Sequence, residues 1–158
     1  MPKTMPVFDG SGIVFVTTGE SRYADLLRID QRKCVLFTLD MTLYSVFIPG
    51  LKRPEFEHLS DVFGQRLFKA LLWDEFPQAQ IEQMLEFCRV IRFSTSNNRS
   101  VLGSMNDLRL QIEVNVAHAG GLANVDMFDL HHRLNRVPLS AVGYRYAVEG
   151  LAEHLRRM

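Results

Sequence analysis

Between Tyr23 and Pro49 three apolar runs follow one another with only brief polar breaks: 25–29 (DLLRI), 34–39 (CVLFTL) and 43–48 (LYSVFI). The breaks, Asp30-Gln31-Arg32-Lys33 and Asp40-Met41-Thr42, are far shorter than the crossover that parallel neighbours require. The runs therefore pair antiparallel, as a meander. A further β-branched run, 13–17 (IVFVT), predicts another strand. Before it, Pro2, Pro6 and Gly10 predict a loose segment over 1–10.

Pro49-Gly50 ends this region and the period changes. Phe56, Leu59, Val62, Phe63, Leu67, Ala70 and Leu71 recur at helical steps, with Ser60 as the expected N-cap of the main part. Pro77 separates a second helix over 78–88, in which Ile81, Met84, Leu85 and Cys88 share a face. Strand character returns at 90–93. Further on, Asn124 is the expected cap of a helix over 125–135, with Asp126 near the positive end of its dipole. An irregular linker, VPLSAVGYRY, leads to a last helix carrying Val148, Leu151, Ala152 and Leu155.

The segment 108–116 (LRLQIEVNV) supports two readings. Apolar residues alternate with Arg109, Gln111, Glu113 and Asn115, the pattern of a half-buried strand. Val101, Met105, Leu108, Ile112 and Val116 also form a helical stripe. Ser100 is a suitable cap for it, and Gly120-Gly121 a suitable left-handed stop. The caps favour the helix. The expected fold class is thus α+β, a small antiparallel sheet packed against four to five helices in one domain over 1–158.

With 47% hydrophobic and 23% charged residues, the composition is that of a folded globular chain. Eighteen basic and eighteen acidic residues cancel, so the summed field that draws proteins onto polyphosphate is missing. Cys34 and Cys88 sit in apolar surroundings and read as buried thiols. The apolar run GIVFV near the N-terminus is too short for a signal or a membrane span, which predicts a cytoplasmic protein that does not enter a membrane.

Polar, directional side chains concentrate in 94–107 (STSNNRSVLGSMND), where a strand meets a helix start. Such a junction offers free N–H groups to an anion, and Arg99 supplies a forked donor. Turn and cap hydrogen bonding is the commoner role for Asn97, Asn98 and Ser100 in such a stretch. No Gly-Lys-Ser/Thr follows, so the stretch is not a P-loop, and Ser104 lacks the second glycine of a nucleophile elbow. His131 and His132 are adjacent, pointing about 100° apart on a helix, and make a poor metal grip. They read as surface or edge residues. Basic residues concentrate at Arg28, Arg32 and Lys33, at Arg92 and Arg99, at Arg133 and Arg136, and at Arg145, Arg156 and Arg157, with Tyr144 and Tyr146 beside Arg145. A base-stacking surface is conceivable there, although scattered arginines on a neutral chain more often form a solvated surface.

Three stretches, RIDQRKCVLFTLDMTLYSVFIPG (28–50), TSNNRSVLGSMNDL (95–108) and LNRVPLSAVGYRY (134–146), together resemble a bacterial domain family of unknown function. The middle one is similar to its Asn-Arg-Ser-Val-Leu-Gly-Ser-Met-Asn-Asp signature. The resemblance implies a stand-alone domain and no particular activity; it also tips the segment after Asp107 toward helix.

The expected function is a non-catalytic binding module for a protein or nucleic-acid partner, without cofactor or metal. Its site is expected at Asn97, Asn98, Arg99, Ser104, Asn106 and Asp107, completed by Arg136 and Tyr144. The alternative is a small hydrolase or nuclease in which Asp107 and a histidine such as His131 exchange protons around phosphate bound by Arg99.

Overall fold

The structure, a computed structural model, describes residues 13–17, 20–39, 42–87, 92–95, 99–139, 142–143 and 145–157. For 13–17, 20–23, 87, 92–95, 99 and 101 it describes the backbone. Five strands form one antiparallel sheet: β1 (Ile13–Thr17), β2 (Glu20–Ile29), β3 (Arg32–Leu39), β4 (Ser45–Ile48) and β5 (Arg92–Thr95). Their order is β4-β3-β2-β1-β5. β2, β3 and β4 are the expected meander, β1 is the further strand expected over 13–17, and β5 joins the sheet on the far side of β1.

The β2–β3 hairpin is tighter than its four polar residues suggested. Arg32 and Lys33 belong to β3, and the turn is Asp30-Gln31 alone, with both residues at positive φ (50° and 63°). A two-residue turn of this kind matches the right-handed twist of the flanking strands. Asp30 serves a second purpose, since its Oδ2 accepts the Leu122 N–H at 2.6 Å. A Cβ on Gly121 would lie 3.3 Å from that oxygen, and Gly121 has φ +137°, a conformation L side chains rarely adopt.

Helices cover both sheet faces. On one side lie α1 (Arg53–Glu57), α2 (Leu59–Trp73), α3 (Gln78–Phe87) and α6 (Ala147–Arg156), packed on Ala24, Val35, Phe37, Val46 and Ile48. The Phe37 and Phe63 rings meet there, 4.4 Å apart. On the other side lie α4 (Arg99–Ala119), a 3-10 turn at Leu122–Asn124 and α5 (Met127–Leu134), packed on Leu27, Cys34, Leu36 and Phe47. With helices on both faces, residues 34–39 of β3 are all buried instead of alternating. Cys34 is fully buried, as expected, while Cys88 lies outside the described residues.

The 108–116 segment is helical. Met105, Leu108, Ile112 and Val116 are buried against the sheet, whereas Leu110 and Val114 are 48% and 64% exposed. Two exposed apolar residues created the apparent alternation. The helix ends as Gly120-Gly121 predicted: Gly120 takes φ +86°, its N–H donates to Ala117 O, and the Gly121 N–H donates to Val116 O. These are the two bonds of a Schellman motif.

Three expected caps are corrected. Helix α2 begins at Leu59, ahead of Ser60, because a separate short helix, with Pro54 in its first turn, precedes it and His58 joins the two. Ser100 lies inside α4, which starts at Arg99. Asp126, and not Asn124, caps α5 by accepting the Asp129 N–H at 3.1 Å, since Asn124 is held in the 3-10 turn.

Candidate functional site

A buried polar cluster joins the edge strand β4, the C-terminus of α2 and the end of α5. It starts from a simple requirement of the sheet. Ser45 in β4 pairs with Thr38 of β3, but its own N–H and C=O point away from that partner toward the open edge, and Ser45 is fully buried. The Asn135 side chain closes this edge. Its Oδ1 accepts the Ser45 N–H at 2.7 Å, and its Nδ2 donates to Ser45 O at 2.9 Å. A single amide thus imitates a neighbouring strand. Nearby, the Ser45 hydroxyl donates to Leu43 O at 2.9 Å, which leaves Thr38 Oγ1 as the donor of the 2.9 Å bond between the two hydroxyls.

The same amide fixes His131, four residues earlier on one face of α5. Asn135 Nδ2 lies 3.3 Å from His131 Nδ1 and 3.2 Å from His131 O. The Ser45 bonds determine which end of the amide carries hydrogens, so Nδ1 must accept and Nε2 must carry the ring proton. That proton points to Asp74 Oδ2 at 2.8 Å, with Tyr44 Oη 3.1 Å from the same nitrogen. Tyr44 Oη donates to Asp74 Oδ2 at 2.6 Å. The Tyr44 and His131 rings meet edge to face at 5.7 Å, and Trp73 packs 5.6 Å from His131.

Asp74 is an expensive residue to place here. Its side chain is 1% exposed, and it sits just past the C-terminus of α2, the negative end of the helix dipole. Burial is the largest influence on its carboxyl and acts to raise its pKa. The hydrogen bonds from His131 and Tyr44, with the charge of Arg136, outweigh burial and hold it below the ordinary value. Arg136 Nη1 stands 3.6 Å from Oδ1, a charge contact without a hydrogen bond, and donates at 3.0 Å to His132 O. For Tyr44, burial first, then the Asp74 charge and hydrogen bond, push the phenol well above its ordinary value.

The expectation that His131 is a surface or edge residue is therefore overturned: it is 4% exposed and bonded at both ring nitrogens. His132, its neighbour, is exposed and stacks on Phe128. The helical turn that separates the two rings directs one inward and one outward.

The residues expected to form a site are only partly gathered. Asn97, Asn98 and Tyr144 lie outside the described residues, and Arg99 is placed by its backbone at the first position of α4. Ser104 faces the interior and is 7% exposed, while Asn106 and Asp107 are exposed. Asn106 Oδ1 accepts from Arg109 Nη2 at 2.5 Å. Opposite α4, burial raises the carboxyl of Asp25 on β2, with the Arg109 charge offsetting part of the effect. Arg136 belongs instead to the Asp74 network, and no contact among the described residues joins it to Ser104, Asn106 or Asp107. His131 takes Asp74 as its acidic partner; His118, on the same helix as Asp107, lies about 16 Å further along the axis at a rise of about 1.5 Å per residue.

Asp74, Tyr44, Ser45 and Asn135 were not singled out by the sequence reading. The usable signal was modest: Tyr44 and Ser45 interrupt an apolar strand run, and His131 and Asn135 are spaced for one helix face. Among the described residues, no group of three or more His, Cys, Asp or Glu side chains is arranged to hold a metal, and no helix is long and apolar enough to cross a membrane.

Comparison with curated proteins and with solved structures gives no match. A family model, "Domain of unknown function (DUF6933)", matches residues 20–149, a span running from β2 into the first turn of α6. It takes in Tyr44, Asp74, His131 and Asn135 together with the stretch 94–107. With most of its length matched, the chain belongs to the DUF6933 family.

Proposed function

We propose that the protein is a non-catalytic binding module of the cytoplasm that engages a macromolecular partner through the polar surface at the start of α4. The observation that carries this reading is the internal saturation of His131. A general base needs a nitrogen within reach of a substrate proton. Both nitrogens of this ring are bonded inside the protein, one to Asp74 and one to Asn135. The buried acid–base pair is thus part of the scaffold that joins β4, α2 and α5. Asn106 and Asp107 are exposed on α4, about two turns after its first residue, Arg99, and their exposure supports a partner surface there. The hydrolase or nuclease alternative has less support, since no described contact brings a histidine to Asp107.

The test is capture of a partner by the intact protein, followed by Arg99→Ala and Asp107→Ala. Loss of the partner at unchanged melting temperature supports the reading. Substitutions that only unfold the protein would mean that the α4 start is structural, and phosphodiester or phosphomonoester hydrolysis abolished by Asp107→Ala would favour the alternative.

A further inference from the structure

A second feature lies apart from both the buried network and the start of α4. Val142, Arg145, Tyr146 and the adjacent face of α6, with Gly150, Glu153 and Arg157, line a cleft of about 300 Å³. That volume is at the lower end of small-molecule sites. Its chemistry is dominated by one carboxylate held between two guanidinium groups. Arg145 Nη2 pairs with Glu153 Oε2, and Arg157 Nη2 pairs with Glu153 Oε1 at 2.5 Å.

This arrangement leaves an excess of one positive charge at the cleft. It also leaves donors over, since a guanidinium has five N–H groups and each uses an Nη on Glu153. The side chains of Arg145 and Arg157 are 50% and 77% exposed, so those donors are accessible. Arg157 and Glu153 are an i, i+4 pair on one helix, worth little alone. Arg145 comes from the preceding segment, and its convergence on the same carboxylate sets two forks side by side. The Arg145 hydrogen bond and the charges of both arginines hold the Glu153 carboxyl below its usual range, so the clamp stays ionised. Tyr146, 40% exposed, and Val142 add an aromatic and an apolar wall.

We propose that this cleft binds a small oxyanion ligand, a carboxylate or phosphate monoester carried on a flat apolar body. Arg145 and Arg157 take the anionic group, and Tyr146 packs against the body. Bidentate donors suit both oxyanions, which is why arginine recurs at such sites. Glu153 then has an unusual position: it orients both arginines and also competes with the ligand for them. The site is independent of the partner surface on α4, so its failure would leave the proposed function untouched.

The experiment uses the full chain, with amide spectra recorded while phenyl phosphate, benzoate or uncharged benzyl alcohol is added. Gly143 and Gly150 are the reporters. Saturable shifts with one or both anions, and none with the alcohol, are expected; the stronger anion identifies the source of the oxyanion. Glu153→Gln should bind that anion about two- to fivefold tighter, the range set by one exposed charge pair. Arg157→Gln, at a highly exposed position past the end of α6, should bind it more weakly with the fold intact. Absence of saturable shifts at millimolar anion, equal shifts with benzyl alcohol, or weaker binding by Glu153→Gln would each overturn the proposal.

Discussion

Replacing Asn135 by alanine tests the edge-strand account most sharply. The side chain is fully buried and supplies both partners of the Ser45 backbone. Alanine would leave that N–H and C=O without partners in a site that excludes solvent, and would strip His131 Nδ1 of its donor. Each buried group deprived of its partner costs about 1–3 kcal/mol. With some relaxation, a total near 3 kcal/mol is expected, equivalent to about 6–12 °C in melting temperature for a chain of this size. Urea unfolding followed by circular dichroism measures the loss, and hydrogen exchange at the Ser45 amide localises it. Asn135→Asp keeps the shape but turns the donor end into an acceptor facing Ser45 O and His131 O, so it should be at least as damaging at neutral pH. A loss below about 0.5 kcal/mol in Asn135→Ala, with the Ser45 amide still protected, would refute the idea that this amide closes the sheet.

Four further outcomes are expected. The Asp74 carboxyl is held below its unfolded value of about 3.9, so it contributes stability above about pH 4 that is lost as pH falls through the folded value; Asp74→Asn should flatten the acid limb of a stability–pH curve. Tyr44 shifts upward, so stability should fall above about pH 10, where unfolded tyrosine ionises and the buried one does not, and Tyr44→Phe should remove that contribution. On α4, Ile112→Ala should cost about 2–5 kcal/mol, whereas Val114→Ser, two residues away, should change stability by under about 0.5 kcal/mol in chemical denaturation. Gly121→Ala should destabilise by more than about 1 kcal/mol, since it combines a strained φ with crowding of Asp30 Oδ2, and calorimetry would read the shift.

Local chemistry explains which parts were legible from residues alone. The meander followed from connection length, and the end of α4 followed from Gly120-Gly121, because both are properties of a few adjacent residues. The start of α4 and of α5 were displaced from Ser100 and Asn124, since several residues nearby could cap and tertiary placement chose among them. The strand-like alternation of 108–116 was misleading because Leu110 and Val114, which complete it, are exposed apolar residues of a kind common on protein surfaces. The Asp74 network was least legible. Its members come from a strand edge, a helix end and a second helix, and Asp74 and His131 lie 57 residues apart. Sequence spacing carries no trace of such a meeting. The stretch 94–107 was recognisable as a polar strand-to-helix junction, but its composition could not divide inward Ser104 from outward Asp107.

The central claim is that His131 is bonded at both ring nitrogens and serves the scaffold. Long-range nitrogen–proton correlation of the histidine rings in the intact protein tests it directly. The account predicts a His131 ring with hydrogen on Nε2 and an unprotonated Nδ1, its Nε2–H exchanging slowly with water and close in space to Tyr44. A ring protonated at Nδ1 alone, or an Nε2–H that exchanges as fast as that of an exposed histidine, would contradict it and return His131 to the list of groups free to act on a substrate.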